Sequence, residues 1–260
     1  MKRFLPKIKK HLALIIISMP IVTWGGTDSN ANDSKNEPPE VGNFSLSTSQ
    51  QPGPFLSFGQ TLIEKNQVQL YLGAGYLKVQ SDNFLTLTPS AVYGLSDKAA
   101  LLLSVPVALD YEVSKAHSHG LGDIYLQGEY GIYDFSNSKY TEGMTIVGGL
   151  TAPTGSFYKS PPTGLGTTSF FLGTTYNRMS VEWLAFASTG VVMITNHDDI
   201  KLGNQYLYQL GLGHNIKSEP GKYIFSSLIE LNGIYARKNK IFGEFDPDSG
   251  GNLIYIIPSL

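Results

Sequence analysis

The sequence predicts an all-β chain, an antiparallel up-and-down β-barrel that crosses a membrane with its strands. Three observations predict it. From residue 67 on, apolar residues recur at every second position in run after run, and no segment keeps a 3.6-residue period. The alternate faces of those runs are small, polar and rich in glycine. The connections between runs alternate between short and long. Composition agrees. Only 15% of the 260 residues are charged, and Gly (28), Tyr (15) and Phe (13) fill the deficit, where a soluble domain has about 25% charged residues. A mean hydropathy of −0.06 excludes a bundle of transmembrane helices and is what two cancelling strand faces give. The formal charge of −2 leaves no basic excess to hold a nucleic acid. The absence of cysteine removes disulfide scaffolds, Cys-ligated zinc, iron–sulfur clusters and thiol nucleophiles.

In chain order, residues 1–31 read as a cleavable export signal. Lys2, Arg3, Lys7, Lys9 and Lys10 precede the apolar stretch Leu12–Trp24. Its 13 residues suit the core of a signal peptide and are too few to span a bilayer as a helix, which takes about 20. Ser29-Asn30-Ala31 offers small residues at the cleavage positions. Removal leaves 14 basic against 20 acidic residues. Residues 32–57 are rich in Asn, Ser, Gln and Pro with no apolar period, the composition of a poorly ordered periplasmic tail or linker. Phe55 and, just beyond it, Phe58 are the residues that can tuck into the barrel. The barrel is expected over 58–260.

Ten runs are readable: 67–78, 84–93, 99–111, 123–133, 142–150, 168–177, 181–195, 205–215, 223–235, and one from Asn252. The clearest places Ala99, Leu101, Leu103, Val105, Val107, Leu109 and Tyr111 on one face, longer than the 5–6 residues of a typical soluble strand. A soluble sandwich would turn Lys, Glu and Arg toward water on the second face, whereas a membrane barrel turns apolar residues to lipid and small polar ones inward. Parity therefore assigns Gln69, Gln127, Glu129, Gln209, Glu230 and Asn232 to the interior. Singly each reads as part of a polar network that fills the barrel; collectively they could line a neutral or weakly cation-preferring route. Tyr76, Tyr93, Tyr111, Trp183, Tyr223 and Tyr235 are expected in aromatic girdles. Tyr223 and Tyr235 share a face, separated by roughly 30 Å along the membrane normal at about 3.3 Å per residue and a tilt near 40°.

Connections 94–98, 134–141, 178–180 and 217–222 are the short set, at the periplasmic end, and 79–83, 112–122, 151–167, 196–204 and 236–251 are the external set. All but the first of the external set exceed their neighbours in length.

Several motifs resemble a known family. Gly120-Leu121-Gly122-Asp123 opens a strand that continues through Gly128-Glu129-Tyr130. Then come Thr151-Ala152-Pro153-Thr154-Gly155, a Gly/Pro/Ser loop, Gly164-Leu165-Gly166-Thr167 and, late in the chain, Gly250-Gly251-Asn252. Their order and spacing, from about Phe58 to the end, resemble the Gram-negative outer-membrane barrels labelled phenol meta-cleavage pathway proteins or transporters. The resemblance implies a barrel of roughly twelve strands that moves small hydrophobic molecules through the outer membrane, with no catalytic residue and no cofactor. It also implies that the chain is C-terminally incomplete. The run from Asn252 is short, carries Pro258 and stops at Ser259-Leu260, so a gap or a strained closure is expected between the first strand near Val68 and the last near Ile256.

Other constellations read as loops. His117-Ser118-His119 and His197-Asp198-Asp199 could hold a metal only weakly, and Asp246-Pro247-Asp248-Ser249-Gly250 lacks calcium-loop spacing. Nothing pairs with His214 as a hydrolase would require, and no helix succeeds Gly120–Gly122 to make a phosphate loop. Two function classes result: a passive transporter or channel for small, hydrophobic or aromatic molecules, and a structural barrel whose external loops bind a partner. Neither is enzymatic. The expected partners are outer-membrane lipid, the outer-membrane assembly machinery and a small solute.

Overall fold

A computed structural model describes residues 12–24, 37–47, 50–54, 57–59, 61–79, 81–197 and 199–260. The basic residues before Leu12 and the expected cleavage positions 29–31 lie outside them, as do Phe55 and Asp198. Strand makes up 65% of the chain, and the described residues contain no α-helix. The segments are β1 (Leu12–Trp24), β2 (Val68–Val79), β3 (Asp82–Ser96), β4 (Ala99–Ser104), β5 (Val107–Val113), β6 (Ala116–Leu121), β7 (Ile124–Ser136), β8 (Tyr140–Ala152), β9 (Ser169–Ser180) and β10 (Trp183–Ile194). After them come β11 (Asn196–His197), β12 (Ile200–Lys201), β13 (Gln205–Glu219), β14 (Tyr223–Ala236), β15 (Lys240–Ile241), β16 (Glu244–Phe245) and β17 (Gly251–Ser259).

Thirteen of these form one antiparallel sheet whose neighbours follow chain order. β4 and β5 lie end to end along β3, and β6 and β7 run on from one another beside them. The ten runs of the sequence are thus ten staves from β2 to β17. β1, the stretch with the composition of an export-signal core, pairs with the outer edge of β2, and β17 pairs with β14. β1 and β17 end the strand order, so the sheet is not closed.

The layering is the reverse of a soluble sandwich. Outward positions carry exposed apolar residues, such as Leu70, Leu103, Ile146, Leu172, Leu210 and Ile229, while the concave face buries Gln, Glu, Thr and Ser. Connections 97–98, 137–139, 181–182 and 220–222 are tight turns at one end. At the other end lie the long connections 153–168, 195–204 and 237–250, the last two joined through the small sheet β11-β12-β15-β16.

Two expectations are corrected. Residues 112–122 are not an open loop. β5 and β6 extend the hairpin to a two-residue turn at Ser114 and Lys115, both with positive φ. Tyr111 is not a girdle residue. The register of β5 against β3 shifts between Leu85 and Thr86, where Asp110 pairs with Leu85 and Ala108 with Thr86, leaving Leu109 as an extra residue. One inserted residue inverts every side chain beyond it. Tyr111 therefore turns to the concave face, edge-on to Phe84 and 3.0 Å from Thr86 Oγ1. Tyr76, Tyr93, Trp183, Tyr223 and Tyr235 are exposed on the outer face, near the strand ends.

Candidate functional site: a filled interior and a clasped loop

All six residues assigned inward by parity are buried on the concave face, Glu230 completely. The segment just before β2 contacts five of them, Gln127, Glu129, Gln209, Glu230 and Asn232. Ser57 donates its N–H (3.2 Å) and its hydroxyl (2.9 Å) to Glu230 Oε2, and the same hydroxyl lies 3.0 Å from Asn232 Oδ1. Phe58 N–H donates to Gln209 Oε1 at 3.1 Å, and its ring stands edge-on to Phe171 with centroids 4.6 Å apart. Thr61 donates its N–H (2.8 Å) and its hydroxyl (2.6 Å) to Glu129 Oε2, while Thr145 donates to Oε1 at 2.6 Å. Ile63 joins Val92 and Ala100 in the one apolar cluster described on the concave face. Glu64 presses its carbonyl against Gly94, where a Cβ would come within 2.1 Å of it.

Residues 57–59 and 61–64 thus touch the sheet from β14 to β3, across eight neighbouring positions in the strand order. Laid flat, those strands would span about 34 Å at about 4.8 Å per gap. Seven residue steps reach at most about 25 Å. Side chains stand perpendicular to a sheet and add height, not lateral reach. The sheet therefore curls round this segment, which we call the strap. Upstream, Asn43 N–H donates to Val181 O (2.8 Å), Asn43 Nδ2 to Ser180 O (3.0 Å), and Gly221 N–H to Ser45 O (2.8 Å). The chain enters at the short-turn end and fills that half of the interior. Of the stretch 32–57, Asn43, Ser45 and Ser57 are among the residues that bond to the wall, where short polar groups can satisfy inward-facing side chains as water would.

The second constellation is at the opposite end. Asp123, at the joint between β6 and β7, accepts from Gly155 N–H (2.9 Å, Oδ1) and Leu165 N–H (2.7 Å, Oδ2). Thr154 Oγ1 donates to Gly122 O at 2.7 Å and accepts from Ile124 N–H at 2.9 Å. Pro153 opens the loop, and Ser156 and Thr163 tie its two arms together. A Cβ on Gly155 would lie 2.7 Å from Gly164 Cα, and one on Gly164 2.3 Å from Asp123 Oδ1, so the arms meet only as glycines. Gly166, at φ +68°, turns the second arm back toward β9, and Gly120, at φ +136°, lies under Lys159, which donates to His119 O at 2.6 Å. The motif residues, scattered along the sequence, converge on one clasp.

The structure also supplies partners that sequence reading missed. His117 Nδ1 is 3.0 Å from Asp110 Oδ1, and its Nε2 is 3.9 Å from Glu112 Oε1. Both carboxylates come from the opposing strand of the hairpin, which an open-loop reading could not place beside it. The hydrogen bond to Asp110, then the charges of Asp110 and Glu112, hold the imidazole above its ordinary range. A raised value in the folded hairpin means that the pairing stabilises it at acidic pH and is lost as pH rises through that value. An NMR titration is expected to show His117 above about 6.5 and Asp110→Asn to bring it back toward that value; an unchanged titration in the variant would refute the pairing. Among the described residues no group of three His, Asp or Glu is arranged to hold a metal.

Over residues 41–238 the chain matches the family described as "Putative MetA-pathway of phenol degradation". The chain belongs to that family. The match begins at Val41, after the stretch with the composition of an export signal, and includes both the strap and the clasp. No curated protein matches the chain.

Proposed function

We propose that this family member is an outer-membrane β-barrel that lets small, hydrophobic or aromatic molecules cross passively, with the strap closing its interior at rest. The observation that carries the proposal is the inverted layering, exposed Leu, Ile and Val outside and buried Glu, Gln and Thr inside. Girdle residues at the strand ends and long connections at one end only support the same reading. Residues 1–31 act as the export signal in this reading. Their removal takes β1 off the edge of β2 and leaves the edges of β2 and β17 to complete the wall. The assembly machinery inserts the barrel with the long connections outside, and no catalytic step is assigned to it.

The test is fractionation followed by electrophoresis. The mature chain is expected in the outer membrane, migrating differently before and after boiling, and to pass a neutral solute when reconstituted in liposomes. Recovery as a soluble periplasmic protein would overturn the membrane reading. A heat-modifiable barrel that passes no solute would leave only the structural, partner-binding alternative.

A further inference from the structure

Beyond the strap, toward the long connections, the concave face changes character. Tyr71, Ser90, Ser104 and Tyr125 lie side by side at one level, consecutive across β2, β3, β4 and β7. Ser90 donates to Ser104 Oγ at 2.8 Å. The two tyrosines are the next residues of the row on either side of this pair, and the ring of Tyr125 leans over Gly149 of β8. Tyr71 donates to Gln69 Oε1, and Tyr125 donates to Gln127 Oε1 at 3.0 Å, each to the glutamine two residues away on its own strand. Both glutamines are buried at the level of the strap, so both rings are anchored to the filled half. Three strand gaps separate the tyrosine-bearing backbones, about 14 Å.

Past this row the wall loses its side chains. Gly73 and Gly75 come after Tyr71, and a Cβ on Gly75 would meet nothing within 4 Å. Thr86 and Thr88 stand opposite them and, like Ser90 and Ser104, are half-exposed, whereas the interior residues under the strap are buried. Phe84 and Tyr111, edge-on at 5.2 Å, bound the recess at its outer end. No Lys, Arg, Asp or Glu belongs to this row or to the Gly–Thr wall, and Asp123, two residues before Tyr125, already accepts from Gly155 and Leu165.

We propose that this recess is a binding site, floored by the strap and open toward the long connections, for an uncharged planar molecule carrying one hydrogen-bonding group. The proposal rests on the outer-membrane reading above and gives its solute a place and a chemistry. A charged ligand would lose its hydration with no counter-charge to meet it. An apolar ring system finds the edge-on pair Phe84 and Tyr111 at the outer end of the recess. A hydroxyl or amine finds Ser104, which keeps its own proton to donate, and Ser90, whose lone pairs are open.

The test uses the mature full-length chain in liposomes and three probes: 2-naphthol, 2-naphthoate and naphthalene. Saturable binding of 2-naphthol is expected, with 2-naphthoate at least about tenfold weaker. Gly75→Phe fills the recess and is expected to remove 2-naphthol binding while the boiled and unboiled gel mobilities stay as in the parent. Ser104→Ala should weaken 2-naphthol about fivefold and leave naphthalene unchanged. Equal binding of naphthol and naphthoate, or full binding by a folded Gly75→Phe variant, would overturn the site. Flux through the same liposomes is scored separately. Flux of 2-naphthol without saturable binding overturns the site and leaves passive transport standing. Saturable, Gly75-dependent binding without flux supports the site and removes transport.

Discussion

Expelling residues 57–64 from the interior is expected to turn a closed protein into a conducting one. Two variants do this by different physics. Gly59 has φ +79°, and a Cβ there would lie 2.3 Å from Thr175 Cγ2 and 3.3 Å from Val147 Cγ2. Gly59→Val therefore adds bulk against β8 and β9 and forces a β-branched residue into left-handed backbone. Glu129→Leu with Glu230→Leu instead removes the acceptors for two backbone N–H groups and two hydroxyls of the strap. At about 1 kcal/mol for each lost bond, the docked state weakens by about 4 kcal/mol, roughly a thousandfold in the docked-to-free ratio. In planar bilayers the parent chain is expected to sit near the baseline ionic current, its passage of neutral solute confined to brief openings of the strap, and both variants to show discrete conductance steps. If both variants fold, keep the heat-dependent gel shift and stay closed, the strap is not what blocks the interior. The outcome also ranks the two functions, because passage through the parent requires the strap to leave, whereas a purely structural barrel has no need of an interior that opens.

Most of the wall is legible in the sequence because a strand with one apolar and one polar face announces its period in every pair of residues. The runs from 67 to 252 correspond to the ten staves, and parity alone places Gln69, Gln127, Glu129, Gln209, Glu230 and Asn232 inward. What parity cannot see is an insertion. The extra residue at Leu109 leaves no mark in an apolar run, so parity puts Tyr111 on the wrong face. Nor can periodicity see a segment that has none. Ser57–Gly59 and Thr61–Glu64 form no strand, and their worth to the fold lies in backbone N–H groups and small hydroxyls aimed at buried carboxyls. The only hint is Phe58, an aromatic beside a polar stretch, and the structure puts it on Phe171. β1, not β17, occupies the outer edge of β2. β17 has β14 on one side and no strand paired on the other among the described residues.

The clasp shows the opposite case, residues visible in sequence whose purpose is not. Asp123 and the glycines around 120, 155 and 164 are separated by up to some forty residues, and only the fold shows that one carboxyl group holds both arms of the loop 153–168. Asp123→Ala is expected to free that loop. Two hydrogen bonds to a carboxylate are lost, at about 1.5–3 kcal/mol each, and neither N–H has a replacement acceptor on an alanine. Thr154, bonded to Gly122 O and Ile124 N–H, Ser118, which donates to Pro161 O at 2.6 Å, and Lys159, which donates to His119 O, then hold the loop. Cleavage of a transiently opened segment follows the free energy of opening, so a loss of about 3 kcal/mol raises the rate by roughly a hundredfold. Trypsin added to intact cells is expected to cut the variant after Lys159 and spare the parent, with Asp123→Asn between them because it keeps one acceptor oxygen. The rate in the variant reports the clasp, and access from outside reports the orientation, since Lys159 lies in a long connection. A variant cut no faster than the parent, in cells and in detergent alike, would mean that the two arms of the loop hold each other without Asp123.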